Sequence, residues 1–153
     1  MFQKSAFVLL VSIFMISSSF ADEVIFEKDT VIINTKNGAV SFEMEIASDY
    51  EQRKQGLMYR TELADGKGML FDYGFPYEAA MWMKNTLIPL DMLFVRSDGK
   101  IAYIHHRAIP GDLTAISAGE PVRAVIELAG GQAKAKKIKV GDYVDYEIFT
   151  NRP

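Results

Sequence analysis

The chain has 153 residues, of which 49% are hydrophobic, and it carries a formal net charge of −3 with no cysteine. This length suffices for one domain with its own hydrophobic core, and the absence of thiols excludes disulfides, cysteine nucleophiles and metal sites built on cysteine. The mildly acidic balance disfavours nucleic acid as a partner, because nucleic-acid binding needs a concentrated basic face.

Residues 1–21 have the layout of a secretory signal peptide. A lysine precedes an apolar stretch, and Ser19 and Ala21 occupy the two small positions before a cleavage site. The apolar stretch has about half of the roughly 20 residues that a membrane span needs. We therefore expect cleavage after Ala21, export to the periplasm or the medium, no retained membrane span, and a mature single domain at residues 22–153.

Short segments rich in β-branched and aromatic residues alternate with turn signals along the mature chain. Strands are predicted at 24–34 and 40–46, at 69–71, in a hairpin of 92–95 and 100–104, and at 122–128 and 143–149, with a loop at 73–76. A capping box at Ser48 and Glu51 predicts one short helix that ends near Gly56, and a helical turn is predicted at 131–137. The pattern predicts a mainly β (α+β) fold, a compact β-sandwich or barrel-like single domain with one or two short helices.

The run MWMKNTLIPLD, which ends at Asp91, places polar side chains in a segment apolar enough for a core. Burying such groups without partners is costly, so they must pair inside the protein or face a pocket. Trp82 offers a stacking face, and Lys84 and Asn85 beside it could hold an anionic or hydroxylated group. The alternative is local support, in which Asn85 stabilises a bend and Lys84 pairs with Asp91 or Glu127.

Two arginines near the predicted helix extend this candidate site. Arg53 and Arg60 could each clamp a carboxylate or a phosphate through the planar guanidinium group. The simpler interpretation is that they tie the helix to the sheet through Asp91, Glu127 or Asp142. The candidate ligand-binding residues are Trp82, Lys84, Asn85, Asp91, Arg53 and Arg60.

Catalytic and metal-binding signatures are weaker. Asp91 and Glu127 are carboxylates in apolar contexts, and a hydrolase-type enzyme would use them as an acid/base pair. His105 and His106 are the only histidines in the sequence, and neighbours on a strand face opposite sides, so they cannot easily chelate one ion. Thioethers could bind Cu(I), although methionine also fills cores. The four methionines concerned are Met58, Met69, Met81 and Met83. We expect no cofactor.

Four blocks of the sequence resemble one family. They are RKQGLMYR at 53–60, GMLF at 68–71, WMKNT followed by IPLD at 82–91, and IKVGD at 138–142. In this order they resemble the domain of unknown function 192 family over nearly all of the mature chain. The resemblance implies a compact, β-rich, single-domain protein, commonly exported in bacteria, whose biochemical function has not been established.

The leading hypothesis is an exported, non-catalytic binding or interaction module for a small polar or anionic ligand. The alternatives are the hydrolase-type enzyme, an envelope assembly factor that contacts other envelope proteins, and methionine-based copper binding. The environment of Trp82 distinguishes best between these functional hypotheses. A ligand wall requires the indole to line an open pocket, whereas a sealed indole would make the whole run part of the core.

Overall fold

The computed structural model describes residues 23–150, and the predicted signal peptide lies outside them. Within this range the elements are β1 (Glu27–Thr35), β2 (Gly38–Ala47), α1 (Tyr50–Gln55), β3 (Lys67–Tyr77), β4 (Ala80–Met81), β5 (Leu90–Val95), β6 (Ile101–Ala108), β7 (Ile116–Ser117), β8 (Val122–Ala129), α2 (Gln132–Ala135) and β9 (Tyr143–Asp145). The predicted mainly β fold with short helices is confirmed. No helix within 23–150 is long and apolar enough to cross a membrane.

Seven strands form one curled sheet in the order β6-β5-β8-β3-β2-β1-β9, and β4 pairs with β7 in a separate ladder. In the large sheet β2 and β3 run parallel, and the other neighbouring strands run antiparallel. The two edges meet at one end, where Lys100 and Tyr143 form an antiparallel bridge and Ile101 N donates to Asp142 O. The sheet is therefore a half-barrel.

The sheet buries a hydrophobic core on each face, because successive side chains of a strand point to opposite sides. Leu93 of β5 and Ile126 of β8 lie in the core that also contains Ala133 of α2, which we call the α2 core. Met92 of β5 lies in the other core together with Met83, which we call the Met83 core. The two faces of the sheet thus support two separate surfaces of the molecule.

Several strand boundaries differ from the prediction, and two of these differences have a clear structural cause. β3 continues through the predicted loop at 73–76, because the chain pairs again with β8 at Tyr77 after an irregularity that begins beyond Asp72. The strand predicted at 143–149 ends at Asp145, and a turn follows in which Phe149 N donates to Tyr146 O. Both of these aromatic rings are buried in the α2 core, so tertiary packing explains the apolar sequence there.

Candidate functional site

Helix α1 forms one wall of a cleft, and its ends fix its position. A capping box starts the helix one residue later than predicted: Asp49 accepts the N–H of Gln52, and the Gln52 side chain accepts the N–H of Asp49. The helix ends at Gly56, where φ is 50°, and a Cβ added there would lie 3.0 Å from the Phe71 ring. Glycine is therefore needed both for the turn and for close packing of α1 against β3.

An open cleft of about 540 Å³ lies between α1, β3 and the segment around β4; we call it the aromatic cleft. Six rings line it, those of Tyr50, Phe71, Tyr73, Phe75, Tyr77 and Trp82. Tyr73 and Tyr77 stack with their ring centroids 5.2 Å apart. Trp82 is 49% exposed, so its indole lines an open pocket, as a ligand wall requires.

Lys84 lies beside the indole of Trp82 at the rim of the aromatic cleft. Its Nζ is 5.1 Å from the ring centroid, and its side chain is exposed. Among residues 23–150 it forms no ion pair, so the predicted pairing with Asp91 or Glu127 is wrong. Both carboxylates are buried, whereas the ammonium group remains hydrated and contributes a positive charge to the rim.

The two candidate arginines differ in position. Arg53 lines the aromatic cleft, where its guanidinium lies 5.8 Å from the Tyr73 ring centroid and donates to the backbone carbonyl of Asp72 at 3.0 Å. Arg60 pairs with Glu45 and does not belong to the lining of the cleft. Arg53 therefore ties α1 to β3 as the simpler interpretation predicts, although through a carbonyl rather than a carboxylate.

Asn85 does not line the aromatic cleft but supports the segments that form it. Its φ of 53° lies in the left-handed region, which asparagine tolerates better than most residues. Its side-chain Nδ2 donates to the hydroxyl of Tyr59 at 2.9 Å, and its backbone carbonyl accepts the N–H of Tyr59 at 2.8 Å. The local-support interpretation therefore describes Asn85 best, since it links the segment after α1 to the segment that carries Trp82.

Asp91 lies on the other face of the sheet and is fully buried. Its Oδ1 accepts the N–H of Arg107, and its Oδ2 accepts those of Gly131 and Ala133, each at 2.9 Å. Three donors satisfy the carboxylate without any ligand. The structure thus corrects the inclusion of Asp91 in the ligand-binding set, because this side chain anchors β6 and α2 to β5.

The proposed acid/base pair of Asp91 and Glu127 is also wrong. In the antiparallel pairing of β5 with β8, Asp91 lies opposite Leu128 and Glu127 lies opposite Met92. Directly paired residues project to one face, and successive residues project to opposite faces. The two carboxyl groups therefore point away from each other and cannot act on one substrate.

Glu127 is a buried carboxyl group at the wall of the aromatic cleft. It is 4% exposed, and its neighbours across the strands, Met69 and Met92, are fully buried. No other residue in the range 23–150 forms a hydrogen bond or ion pair with its carboxyl group. Burial raises the pKa of Glu127 to about 8, so the group is mostly protonated at neutral pH.

Tyr73 is a second polar side chain of the cleft, and its hydroxyl forms a weak hydrogen bond. Its hydroxyl donates to the sulfur of Met81 at 3.3 Å, and a thioether is a weak acceptor. Burial, and after it the nearby charge of Glu127, raise the pKa of Tyr73 to about 12, while Arg53 acts in the opposite direction. The sequence did not indicate this residue, because 73–76 has the composition of a loop.

The four candidate methionines occupy two environments. Met69 and Met83 are fully buried in the Met83 core, whereas Met58 and Met81 line the aromatic cleft. The Met58 sulfur lies 3.9 Å from the Nδ2 of Asn85. Across the described residues, no group of three or more histidine, aspartate or glutamate side chains is placed to hold a metal. Copper binding by methionine stays a prediction.

The two histidines lie on β6, away from the aromatic cleft. The Nδ1 of His105 is 3.4 Å from the hydroxyl of Tyr103. The Nδ1 of His106 is 4.0 Å from the Oδ1 of Asp91. Their different partners agree with the expectation that the pair does not chelate one ion.

Two solved structures have the same fold. A protein from Sinorhizobium meliloti 1021, named as a candidate transcription regulator, is 44% identical with a TM-score of 0.78, over 80% of this chain and 96% of that one. A protein of unknown function from Novosphingobium aromaticivorans DSM 12444 is 39% identical with a TM-score of 0.76, over 78% of this chain and 85% of that one. No curated protein matches the chain.

The DUF192 family, described as "Uncharacterized ACR", matches residues 31–146. This range contains every residue that lines the aromatic cleft, from Tyr50 to Glu127. It also covers most of the chain. The chain belongs to the DUF192 family.

Proposed function

We propose that this protein is an exported, non-catalytic module that binds a small polar or anionic ligand in the aromatic cleft. The observation that carries the proposal is the buried carboxyl group of Glu127, which lines the cleft without a partner among residues 23–150. Burying such a group costs stability, and buried groups with shifted pKa values concentrate at functional sites. A ligand oxygen would supply the missing hydrogen bond.

The chemistry of the cleft defines the ligand class. The aromatic rings offer stacking faces for a flat or ring-shaped molecule. The protonated carboxyl of Glu127 donates a hydrogen bond, so it favours a ligand with an acceptor atom such as a hydroxyl or carboxylate oxygen. Arg53, Lys54 and Lys84 line the cleft against one exposed acid, Glu78, which leaves an excess of positive charge. A ring that carries hydroxyl or carboxylate oxygens fits these features, whereas a cation would be repelled.

A nucleic-acid function is not part of this proposal, despite the name of the Sinorhizobium meliloti protein. The two helices within residues 23–150 have six and four residues, which is too short for a helix that reads a major groove. The chain is also acidic overall. The assembly-factor alternative would gain support if no small molecule bound.

Ligand binding can be measured through Trp82, because it is the single tryptophan of the chain and lines the cleft. We expect a library of saccharides, sugar acids and small carboxylates to contain a compound that changes the fluorescence of Trp82 and raises the melting temperature. In Glu127→Leu, which replaces the carboxyl with apolar methyl groups and so removes the donor, calorimetry should show at least about tenfold weaker binding of that compound.

The matched control for this titration is Lys28→Gln, a substitution on β1 that leaves the cleft unchanged and should bind as the wild type does. Equal affinity in Glu127→Leu and the wild type would show that the carboxyl does not contact the ligand. A library without any binder would contradict the small-ligand proposal itself.

Export is a separate part of the proposal, because residues 1–21 lie outside the described range. Its support is the signal-peptide layout of the sequence. Expression in a bacterial host should yield a periplasmic or secreted product that begins at Asp22, as mass spectrometry of the intact protein would show. A product that begins at Met1, or that stays in the membrane fraction, would contradict export.

A further inference from the structure

A second cleft, of about 940 Å³, lies beside α2, and every titratable side chain that lines it is basic. Its lining residues are His106, Arg107, Gly131, Lys134, Ala135, Lys137, Ile138 and Lys139. We call it the basic cleft. Ile138 belongs to the α2 core, whereas Glu127 projects to the face of the Met83 core, so the two clefts use opposite faces of the sheet.

Four cations of the basic cleft are uncompensated. Within residues 23–150 none of them forms an ion pair; they are Arg107, Lys134, Lys137 and Lys139. The neighbouring Lys136 is not part of the lining and pairs with Asp65 at 2.9 Å. A chain of net charge −3 thus collects four unpaired positive charges in one concave surface. Such a concentration creates a positive potential that attracts anions.

The backbone around the basic cleft is fixed by one buried group. The carboxylate of Asp91 accepts the N–H of Arg107 from one wall, and those of Gly131 and Ala133 from the other. Asp91 is fully buried beneath the cleft, and its two carboxylate oxygens accept these three N–H groups. The carboxylate therefore does not pair with the lysines. The positions of the two walls are therefore set before any ligand arrives, which lowers the entropic cost of binding.

Local conformation brings the cationic side chains to the same surface. Arg107, Gly131 and Lys137 have φ values of 50°, 99° and 58°, all in the left-handed region. A Cβ at Gly131 would lie 2.6 Å from the Nη2 of Arg107, so a larger residue there would displace the guanidinium from this position. The turn at Lys137 ends α2 and carries the chain back, so that Lys139 lines the same cleft as Lys134.

We propose that the basic cleft binds a ligand with a multiply charged phosphoryl group, either a phosphorylated small molecule or a phospholipid headgroup. The planar guanidinium of Arg107 can donate two parallel hydrogen bonds to phosphoryl oxygens, and the lysines add mobile charges around them. No carboxylate lines the cleft to repel the anion. The exposed Ala135 provides apolar contact for an uncharged part of the ligand.

Inorganic pyrophosphate is the probe for the soluble form of this ligand. In NMR titrations of the purified protein, we expect saturable shifts of the backbone amides at 106–107 and 131–139. The triple variant Lys134→Gln, Lys137→Gln and Lys139→Gln should bind at least about tenfold more weakly. The control triple variant Lys28→Gln, Lys36→Gln and Lys67→Gln removes the same charge from β1, its following turn and β3, and should bind as the wild type does.

Vesicles test the lipid form. Sedimentation with phosphatidylcholine vesicles, with and without phosphatidic acid, whose phosphomonoester can carry more than one negative charge, should show binding that needs both the anionic lipid and the cleft lysines if a headgroup is the ligand. Pyrophosphate binding without vesicle binding would assign a soluble phosphorylated ligand. The proposal is overturned if neither probe binds, if the control variant loses as much affinity as the cleft variant, or if duplex DNA binds more tightly than both probes with the same lysine dependence.

Discussion

Glu127→Gln is expected to stabilise the protein at pH 9 and to leave its stability nearly unchanged at pH 5. Burial raises the pKa of this carboxyl from 4.5 to about 8. Between these values the folded state holds a proton that the unfolded state releases, so wild-type stability falls as the pH rises from about 4.5 to about 8. Glutamine has no charge to bury, and the gain at pH 9 should be on the order of 4 kcal/mol.

Urea unfolding of wild type and Glu127→Gln at pH 5, 7 and 9 measures this gain. Glu78→Gln is the matched control, because Glu78 is an exposed carboxylate that lines the same cleft, and it should show no comparable gain at pH 9. If Glu127→Gln and the wild type were equally stable at pH 9, the carboxyl would not be buried without a partner. The expected gain also implies a trade-off, in which Glu127→Leu stabilises the fold and weakens ligand binding.

Asp91→Ala should have the opposite effect, a loss of about 3 to 5 kcal/mol in the free energy of unfolding. The substitution leaves the N–H groups of Arg107, Gly131 and Ala133 without their acceptor, in a part of the molecule where little water can replace it. It also opens a cavity under β5.

Asp112→Ala is the control for this loss. The Asp112 side chain is partly exposed, and its carboxylate accepts hydrogen bonds from one residue, Thr114, whose N–H donates to Oδ1 at 2.8 Å. Its removal should cost about 1 kcal/mol or less. Urea unfolding at pH 7 compares the two variants. Similar losses for both would mean that Asp91 does not anchor the two walls of the basic cleft.

Most of the fold was predictable because its strands are buried on both faces or alternate regularly. All six residues of β5 are buried, and its sequence is an apolar run followed by a turn signal. β3 was predicted too short, because Gly74 and Pro76 have the composition of a loop although the strand continues past them. Local composition cannot reveal that pairing with β8 resumes after an irregularity.

The candidate site was predicted in part. Trp82, Lys84 and Arg53 line the aromatic cleft, and the run that contains the first two is apolar with polar interruptions. Asn85 and Asp91 come from the same run but differ in position. Asn85 links two loops through a hydrogen bond, whereas Asp91 faces the opposite side of the sheet. Which side each residue faces depends on strand register and loop geometry, and a single sequence does not specify either.

The most direct test of the aromatic cleft is an NMR titration of the side-chain carboxyl carbon of Glu127 against pH, in the free protein and with a compound identified through Trp82 fluorescence. We predict a pKa near 8 in the free protein, and a further rise when a ligand oxygen accepts the proton of the acid. A titration near the ordinary value of 4.5 in the free protein would contradict a buried carboxyl without a partner, and with it the proposed binding site.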